Sequence, residues 1–531
     1  MKKFIIPFFL VIITTVFYSC DNFLEEYSQN KVYAKTATDL NELLIGNCYL
    51  GGFNTYPSYS SVMSLWTSDY GPLFPMIHVM DDDAEINLGT NGNFNFSASD
   101  MSSTNYLGSF YRWEEHPFVD GQGNATEDTG WSRLYKHISI LNVIIGYEDK
   151  IIEEEGDSEM LQTVVGESYF LRAYYYFILA NVYGLPYSKR GADSDYSIPL
   201  KITEYIDDHY YERDNVGIVY QQMVSDLEAS KTRLKGKTPK NYHHAGYEAA
   251  CALLSRIYLY MEEYQKAVEA AQEVKSYSLL NLNNPMPTYG IQSTSCPEII
   301  FSVGCYSIPL IYCNDDWGQQ PGWWNYGVRN GFKASADLLT AYDSDDLRLE
   351  KYFTTSQSYG NKFPLKCSID LSTGGNNPEN VSDLVSIRYS EVVLNEAEAL
   401  AALGNDNDAR TLINRLRQNR YTTSVASTTN LSGDDLLQFI REERRRELCF
   451  EGHRWFDLRR YAVNERLPFQ KQISHVNIVS SGDDYVPNGR YVLAFYNENR
   501  GAWVLPIPTY EIEFNNGSLT NEERKPAELI R

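Results

Sequence analysis

Signatures of catalysis and of metal binding are scarce in this chain of 531 residues. It contains no GxSxG, no phosphate-binding loop and no GxGxxG before a helix, so the common hydrolase and nucleotide-binding classes find no support. HExxH, CxxC and EF-hand spacings are missing as well. We therefore expect no catalytic residue, no metal and no cofactor. A glycosidase is left open, because its two carboxylates are spaced in three dimensions rather than in sequence.

Positive charge is also in short supply. Lys and Arg total 46 against 70 Asp and Glu, which gives a formal net charge of −24. Such a chain would repel a phosphate backbone, so nucleic-acid binding is disfavoured. Charged residues at 22 % and hydrophobic residues at 43 % are nevertheless typical of a globular protein rather than a disordered one.

A long apolar run occurs only at the N-terminus. Two lysines precede an apolar stretch from Phe4 to Phe17, which predicts a secretory signal peptide over residues 1–19. The following "FYSC" is similar to a bacterial lipobox, so Cys20 is a candidate lipid anchor. The alternative is an ordinary signal peptide with an incidental cysteine, since Phe17 and Tyr18 are unusual at their positions. No later segment is apolar enough to span a bilayer, so a lipid on Cys20 would be the only membrane anchor.

The seven other cysteines are odd in number and widely spaced, which argues against a disulfide framework. Cys296, Cys305 and Cys313 are close enough in sequence for one bridge. Cys251 and Cys449 lie in helical patterns and are expected to be buried thiols.

Helical periodicity covers much of the chain on either side of its centre. A first helix is predicted in "TATDLNELLIGNCYLGG", with Thr38 as a possible cap, and a central one in "SEMLQTVVGESYFLRAYYYFILANVYG". Residues 250–274 and 397–416 each carry large and small residues in the positions of a tetratricopeptide helix pair. More than a hundred residues separate the two copies, so long insertions must interrupt the repeat.

The candidate ligand-binding residues lie mainly in the insertion over residues 283–387. Its segment "DWGQQPGWWNYG" is dense in Gly and Pro, which predicts a loop. Indole and phenol rings stack well on the C–H faces of sugars, so Trp317, Trp323, Trp324 and Tyr326 are candidate carbohydrate contacts. The alternative is that these rings pack the insertion onto the helices.

A second loop-rich region, residues 51–130, offers two further candidates. Trp66 lies near Tyr70, and Trp113 lies beside Tyr111. Packing is the favoured alternative for both tryptophans, because small groups of aromatic residues are common in protein cores. The acidic run "DDDAE" at residues 81–85 is predicted to be a solvated loop rather than a calcium site.

The C-terminal third is unusually rich in alternating charges. In "LLQFIREERRRELCFEGHRWFDLRRYA", acids and arginines alternate at helical spacing, which predicts an internal ion-pair network. The later "RYVLAFYNENRGAWVLPIPTYEIEFNNG" is typical of a hairpin-like pair followed by a helical turn.

Several of these segments together resemble the SusD/RagB family of outer-membrane lipoproteins from Bacteroidetes. They are the Cys20 start with "CDNFLEE", then "SYFLRAYYYFILANVYGLPY", "RYSEVVLNEAEALAALGNDNDARTLINRLR", "REERRRELCFEGHRWFDLRR" and "WVLPIPTYEI". They occur in the family's order and cover essentially the whole mature chain.

The resemblance implies a mostly α, SusD-like single domain, built on tetratricopeptide-like helix pairs with long irregular insertions and minor β-hairpins. The expected organisation is a signal peptide (1–19), a lipidated tether (20–37) and a SusD-like domain (38–531). Within that domain we expect a helical scaffold (38–282 and 388–461), a loop-rich ligand-face insertion (283–387) and a C-terminal segment (462–531).

The resemblance also implies a function. The expected protein is a non-enzymatic glycan-binding lipoprotein on the cell surface, held at the outer membrane by its N-terminal lipid. Its expected partners are an oligosaccharide or polysaccharide ligand and a SusC-like TonB-dependent transporter. The alternatives are a peptide-capturing subunit or a structural lid of such a transporter.

Overall fold

The computed structural model describes residues 34–51, 71–87, 107–120, 124–205, 208–312, 332–356, 360–366, 381–422, 427–481 and 484–531. This part of the chain is mainly helical, in agreement with the predicted fold class. The helices are α1 Ala37–Asn47, α2 Thr129–Gly146, α3 Glu148–Glu155, α4 Glu159–Tyr183, α5 Val216–Leu234, α6 Tyr247–Tyr260, α7 Tyr264–Gln272, α8 Ile308–Ile311, α9 Ala336–Leu339, α10 Arg348–Lys351, α11 Tyr389–Ala402, α12 Asp406–Gln418, α13 Gly433–Leu448, α14 Arg454–Val463 and α15 Thr509–Phe514.

The strands are short and pair in small sheets. They are β1 Ala84–Ile86, β2 Ile299–Ser302, β3 Phe332–Ala334, β4 Phe353–Thr355, β5 Lys362–Pro364, β6 Ser386–Arg388, β7 Ile473–Ser481, β8 Asp484–Leu493 and β9 Glu528–Ile530. Antiparallel pairs form between β1 and β3, β2 and β6, and β4 and β5, and a three-stranded sheet has the order β7-β8-β9. The first two pairs join strands that are far apart in sequence.

Helix α4 is the centre of the scaffold. The Ser158 side chain caps its start by accepting a hydrogen bond from the Leu161 N–H, and nearly every residue from Val164 to Tyr183 is buried. It packs against α1, α2 and α5. A two-point ion pair fixes α4 to α5, with Arg172 Nε and Nη2 at 2.8 and 2.6 Å from the carboxylate of Asp226. A helix that is apolar all round must lie inside the protein, as the sequence predicted.

Both predicted tetratricopeptide-like pairs are present. They are α6 with α7 and α11 with α12, and α7 packs against α11. Left-handed residues turn the chain within each pair, Glu262 with φ 57° and Gly404 with φ 81°. Arg256 of α6 and Glu391 of α11 form a buried ion pair of 2.6 Å between the two units. The two copies are therefore contiguous in space despite the insertion between them in sequence.

The predicted internal ion-pair network is confirmed. Arg348 Nη2 lies 2.7 Å from Asp346 and 2.5 Å from Glu443, with all three side chains fully buried. Arg388 contacts Glu298 and Glu451, each at 2.7 Å. The network thus links α10, β6 and α13, and it occupies the interior where an all-α protein usually places aliphatic residues.

Two local predictions differ from the structure. Helix α1 is capped by Thr36 rather than Thr38, because the Thr36 hydroxyl accepts from the Asp39 N–H and Asp39 accepts in return from the Thr36 N–H. The C-terminal hairpin joins β7 to β8, whereas the prediction placed both strands after residue 490. Residues after β8 instead form a 3-10 turn over Arg500–Trp503, where Trp503 stacks on Trp455 with centroids 4.9 Å apart. The helical turn predicted after them is α15.

Five cysteines in the described ranges are free thiols, at positions 48, 251, 296, 305 and 449. The burial predicted for Cys251 and Cys449 is confirmed. A bridge between Cys296 and Cys305 is excluded, while Cys313 lies outside the described residues. Across the same ranges, every helix is too short or too polar to cross a lipid bilayer.

Candidate ligand-binding face

Most of the predicted ligand contacts lie outside the described residues. These are Trp66, Trp317, Trp323, Trp324 and Tyr326, and the candidate lipid anchor Cys20 lies outside them as well. The structure does describe the residues that flank the segments carrying these aromatic rings, namely segments 52–70 and 313–331. The flanking residues locate the base of the candidate site.

Strands β1 and β3 bring two segments of the chain to one place. Ile86, the last residue of β1, pairs with Phe332, the first residue of β3. Two described residues that adjoin segments 88–106 and 313–331 in sequence are therefore neighbours in space. Tyr312 precedes the latter segment, and its ring lies 6.5 Å from that of Phe332 in an edge-on contact. Both ends of the segment that carries the four central candidates are thus fixed at the same base.

The base of segment 52–70 is close by. Its flanking residues Gly51 and Gly71 line one small pocket together with Asp383. His78 connects this pocket to the first base, because its Nε2 lies 2.9 Å from Asp383 Oδ2 and its carbonyl accepts a hydrogen bond from the Tyr312 hydroxyl. The described residues that adjoin these three segments, two of which carry candidate aromatic residues, consequently lie close together.

Trp113 is part of the packing beneath this region. The residue is fully buried, its indole N–H donates to the Met80 carbonyl at 3.0 Å, and its backbone is left-handed with φ 50°. Its ring stacks on the imidazole of His475 with centroids 4.2 Å apart. Of the two roles considered for Trp113, its burial supports packing, since no face of the ring is open to a sugar.

His475 ties the C-terminal sheet to the same base. Its imidazole also stacks on Tyr111 at 4.0 Å, and the Tyr111 hydroxyl accepts a hydrogen bond from the Ile86 N–H. The two ring nitrogens lie 2.7 and 2.8 Å from the carbonyls of Tyr111 and Asp81. Burial lowers the pKa of His475 to about 4, although these two hydrogen bonds oppose the shift. The ring, stacked between Tyr111 and Trp113, therefore holds β7 against the residues that precede β1.

The acidic run before β1 is not the solvated loop that the sequence predicted. Asp81, Asp82 and Asp83 are all buried, with exposed fractions of 5, 7 and 1 %. Arg454 donates two hydrogen bonds to Asp82, from Nε to Oδ1 at 2.7 Å and from Nη2 to Oδ2 at 2.8 Å. Arg445 Nε donates to Asp83 Oδ1 at 2.8 Å. The prediction failed because these cations belong to α13 and α14, more than 350 residues away in sequence, and local spacing cannot reveal them.

The arginines decide the charge of this acidic cluster. Burial by itself would raise the pKa of Asp82, but Arg445 and Arg454 outweigh it and hold that pKa well below the usual range. The pKa of Asp81 is raised, by burial first and then by the charges of Asp83 and Asp82. Oxygen atoms of the three carboxylates lie within 4.8 Å of one another, a spacing that could hold a metal ion. The counter-charge, however, is already supplied by the basic side chains of Arg445, Arg454 and Lys471.

The residues that build this base could not be singled out from sequence. His78, Asp383 and His475 each act through a partner that is remote along the chain, and none belongs to a recognisable motif. The only sequence signal was the acidic run itself, whose lack of a local counter-charge is unusual for a buried segment.

Comparison with known proteins agrees with this architecture. A sequence profile described as "SusD family" matches residues 353–523, and another described as "Starch-binding associating with outer membrane" matches residues 73–259. Among curated proteins, the chain is similar to SusD-like protein P2 of Formosa agariphila, at 24% identity over 458 residues, covering 77% of this chain and 83% of that protein. It is also similar to SusD-like protein P38 of the same organism, at 25% identity over 408 residues, covering 63% and 72%.

Solved structures show the same fold. A SusD superfamily protein from Bacteroides thetaiotaomicron superposes with a TM-score of 0.66 at 22% identity. The match covers 92% of this chain and 100% of that protein. A laminarin-binding SusD-like protein superposes with a TM-score of 0.58 at 19% identity, covering 92% of this chain and 99% of that one.

Proposed function

The chain belongs to the SusD/RagB family, and we propose that it is a non-enzymatic glycan-binding lipoprotein that captures oligosaccharides and delivers them to a SusC-like TonB-dependent transporter. The observation that carries this proposal is the pairing of Ile86 with Phe332, together with the His78 contacts that link this pair to Asp383. These contacts bring together the described residues that adjoin segments 52–70, 88–106 and 313–331. Two of these segments carry the candidate aromatic residues Trp66, Trp317, Trp323, Trp324 and Tyr326.

The chemistry of segment 313–331 suits a saccharide. Its aromatic rings offer flat apolar faces for sugar C–H groups, while Asn314, Gln319 and Asn325 can bond to sugar hydroxyls. Loops on a rigid scaffold are the usual place for such recognition. The laminarin-binding relative and the starch-binding family description support a glycan as the class of ligand.

The proposed function includes a location at the outer membrane and the transporter as a partner. Residues 1–19 direct export and are removed, Cys20 receives the lipid, and residues 20–37 tether the domain to the outer membrane at the cell surface. The domain over residues 38–531 then carries its ligand face, including the insertion over residues 283–387, toward the transporter. The description of the matching family as associating with the outer membrane supports this location.

A binding screen tests the proposal. The chain without residues 1–20 is run in affinity gels against a panel of polysaccharides, and a panel of peptides is tested in parallel by calorimetry. We expect retardation by at least one glycan and a loss of that retardation in the Trp323→Ala/Trp324→Ala variant, with an unchanged melting temperature.

The matched control is Tyr205→Ala/Tyr210→Ala, which removes two exposed aromatic rings, 68% and 61% accessible, elsewhere on the molecule. This variant should bind like the wild type. Binding of peptides alone would favour the peptide-capturing alternative, and binding of neither class would favour a structural lid. Release of reducing sugar from a bound glycan would indicate a glycosidase.

A further inference from the structure

A second open cleft lies on the helical side of the acidic cluster. Helices α9, α13 and α14 and the residues before β7 surround a volume of about 620 Å³. This size is within the range of small-molecule sites. Trp113, the candidate ligand contact that the structure describes, does not line it.

The wall of the cleft that α13 forms is polar, because its polar residues recur at helical spacing. Gln438, Arg441, Glu442 and Arg445 follow one another at intervals of three, one and three residues, which places them on one face of the helix. Ile440, which lies between them in sequence, is fully buried on the other side. One amide, one carboxylate and two guanidinium groups on this face of α13 therefore line the cleft.

The opposite wall combines apolar rings with further amides. Phe469 and Phe495 line it and are half-buried, and Gln470 and Gln472 are exposed beside them. Aromatic surface next to amide groups is the combination that a saccharide requires, because a sugar presents both C–H patches and hydroxyls.

The mouth of the cleft already holds a carboxylate. Asp337 Oδ2 lies 2.7 Å from Arg445 Nη2 and 2.7 Å from Lys471 Nζ. The Asp337 side chain is 53% exposed, whereas that of Arg445 is only 9% exposed. Arg445 Nε is fixed by Asp83 at 2.8 Å. The two cations are therefore preorganised by buried partners, and the carboxylate that they share faces solvent.

The basic side chains of the cleft all have carboxylate partners. Five of them line its walls, Arg441, Arg445, Arg446, Arg454 and Lys471, and each is paired with a buried acid. Arg445 and Lys471 differ from the others because they also hold the exposed carboxylate of Asp337. These two cations are therefore arranged to bind a carboxylate at the mouth of the cleft.

We propose that this cleft binds a uronic acid residue of a glycan, whose carboxylate takes the position of the Asp337 carboxylate between Arg445 and Lys471. The proposal rests on the proposed glycan-binding function and assigns to it a second subsite with preference for acidic sugars. Asp337 acts as an internal competitor that occupies the two cations when no ligand is bound. Phe469 and Phe495 contact the sugar ring, and the glutamines bond to its hydroxyls.

The test is titration calorimetry of the chain without residues 1–20, with trigalacturonate as the acidic probe and maltotriose as the neutral one. We expect Asp337→Asn to raise the affinity for trigalacturonate by about two- to fivefold, the size of a partly exposed ion pair. Lys471→Gln should lower that affinity by about fivefold, since it removes one of the two charge-assisted contacts. Affinity for maltotriose should not change in either variant.

The matched control is Asp195→Asn, which removes a carboxylate from a similar ion pair, 2.7 Å from Arg500, outside the cleft. It should leave both affinities at the wild-type values. An equal gain in this control would overturn the inference, because it would show a general effect of net charge. An unchanged affinity for trigalacturonate in Asp337→Asn would overturn the inference as well. Lys471→Gln also loses its contact with Asp82 and can be destabilised for that reason, so the result for Asp337→Asn decides the inference.

Failure of this inference differs from failure of the proposed function. If the wild type binds a neutral polysaccharide through Trp323 and Trp324 but shows no binding of trigalacturonate, the second subsite is wrong and the proposed function stands. If it binds no glycan of either kind, both are wrong. If trigalacturonate binding persists in the Trp323→Ala/Trp324→Ala variant and responds to Asp337→Asn, the cleft is an independent subsite.

Discussion

Arg420 and Glu447 form a two-point ion pair in the interior of the protein. The guanidinium Nε and Nη2 each lie 2.9 Å from one carboxylate oxygen, and the two side chains are 1% and 0% exposed. Glu447 also contacts Arg348 at 3.1 Å and Arg388 at 3.5 Å. One carboxylate is thus shared by three arginines that come from separate parts of the chain.

We predict that Glu447→Gln destabilises the protein strongly. The amide fits the same space, but it leaves three buried guanidinium groups without their shared counter-charge, and breaking such a pair costs about 3–5 kcal/mol. The free energy of unfolding in urea measures the effect. Glu228→Gln is the control, since Glu228 is 46% exposed in its pair with Lys231, and should change stability by about 0.5 kcal/mol or less. Equal effects of the two substitutions would contradict this view of the network.

Acid should destabilise the protein through Glu398. Burial alone would raise the pKa of Glu398, but Arg460 and then Arg441 outweigh it and lower that pKa to about 2 from an ordinary 4.5. A carboxylate with a lowered pKa in the folded state stabilises the fold above pH 4.5, and this stabilisation is lost as the pH falls toward 2.

Glu398→Gln removes this contribution at every pH. Near neutral pH, we therefore expect the unfolding free energies of wild type and Glu398→Gln to differ by up to about 3 kcal/mol. This difference should shrink as the pH is lowered below 4.5, the ordinary pKa of a glutamate. Urea titrations at a series of pH values measure it. A difference that stays constant down to acid pH would show that Glu398 does not titrate in this way.

Trp113→Ala should affect folding rather than binding. The substitution removes a fully buried ring that stacks on His475, and losses of this kind cost about 3–5 kcal/mol. Urea unfolding gives the stability, and affinity gels at a temperature where the variant is folded give the binding. Unchanged stability combined with weaker glycan retention would instead assign Trp113 to the ligand face.

Cys20→Ala should abolish lipidation of the protein. Because the acyl chain has no cysteine to be attached to, the variant should lose incorporation of labelled palmitate. Ser19→Ala is the matched control at the neighbouring position and should keep this labelling. Labelling that persists in the Cys20→Ala variant would show that the cysteine is incidental to the signal peptide.

The buried thiols should resist alkylation in the native protein. Burial raises the pKa of Cys449 to about 11 and that of Cys296 to about 12, so both are protonated and unreactive near neutral pH. Mass spectrometry after iodoacetamide treatment should detect Cys48, Cys251, Cys296 and Cys449 as modified only when urea is present. Resistance of Cys296 and Cys305 even in urea without a reductant would indicate a disulfide between them.

The helical scaffold was readable from sequence because its signals are local. The large and small residues that identify the pairs α6 with α7 and α11 with α12 lie close together in sequence. The alternating charges of α13 and α14 are likewise only three and four residues apart. The existence of the ion-pair network therefore followed from spacing alone. Its membership did not, since Arg348, Arg388 and Arg420 lie outside that stretch.

The base of the candidate site was hidden for the opposite reason. Strands of three residues such as β1 and β3 carry too short a pattern to be recognised, and their register depends on a pairing across more than 240 residues. The burial of Asp82 depends in the same way on Arg454. A buried and an exposed tryptophan are identical letters in a sequence, so the role of Trp113 required its surroundings.

The pairing of Ile86 with Phe332 has a consequence for the evolution of the chain. The two residues adjoin segments 88–106 and 313–331 in sequence, and neither belongs to the arginine-rich interior. Insertions and substitutions in both segments would therefore accumulate next to one fixed point of the scaffold. Homologous chains should accordingly keep their helices and differ most beside this strand pair.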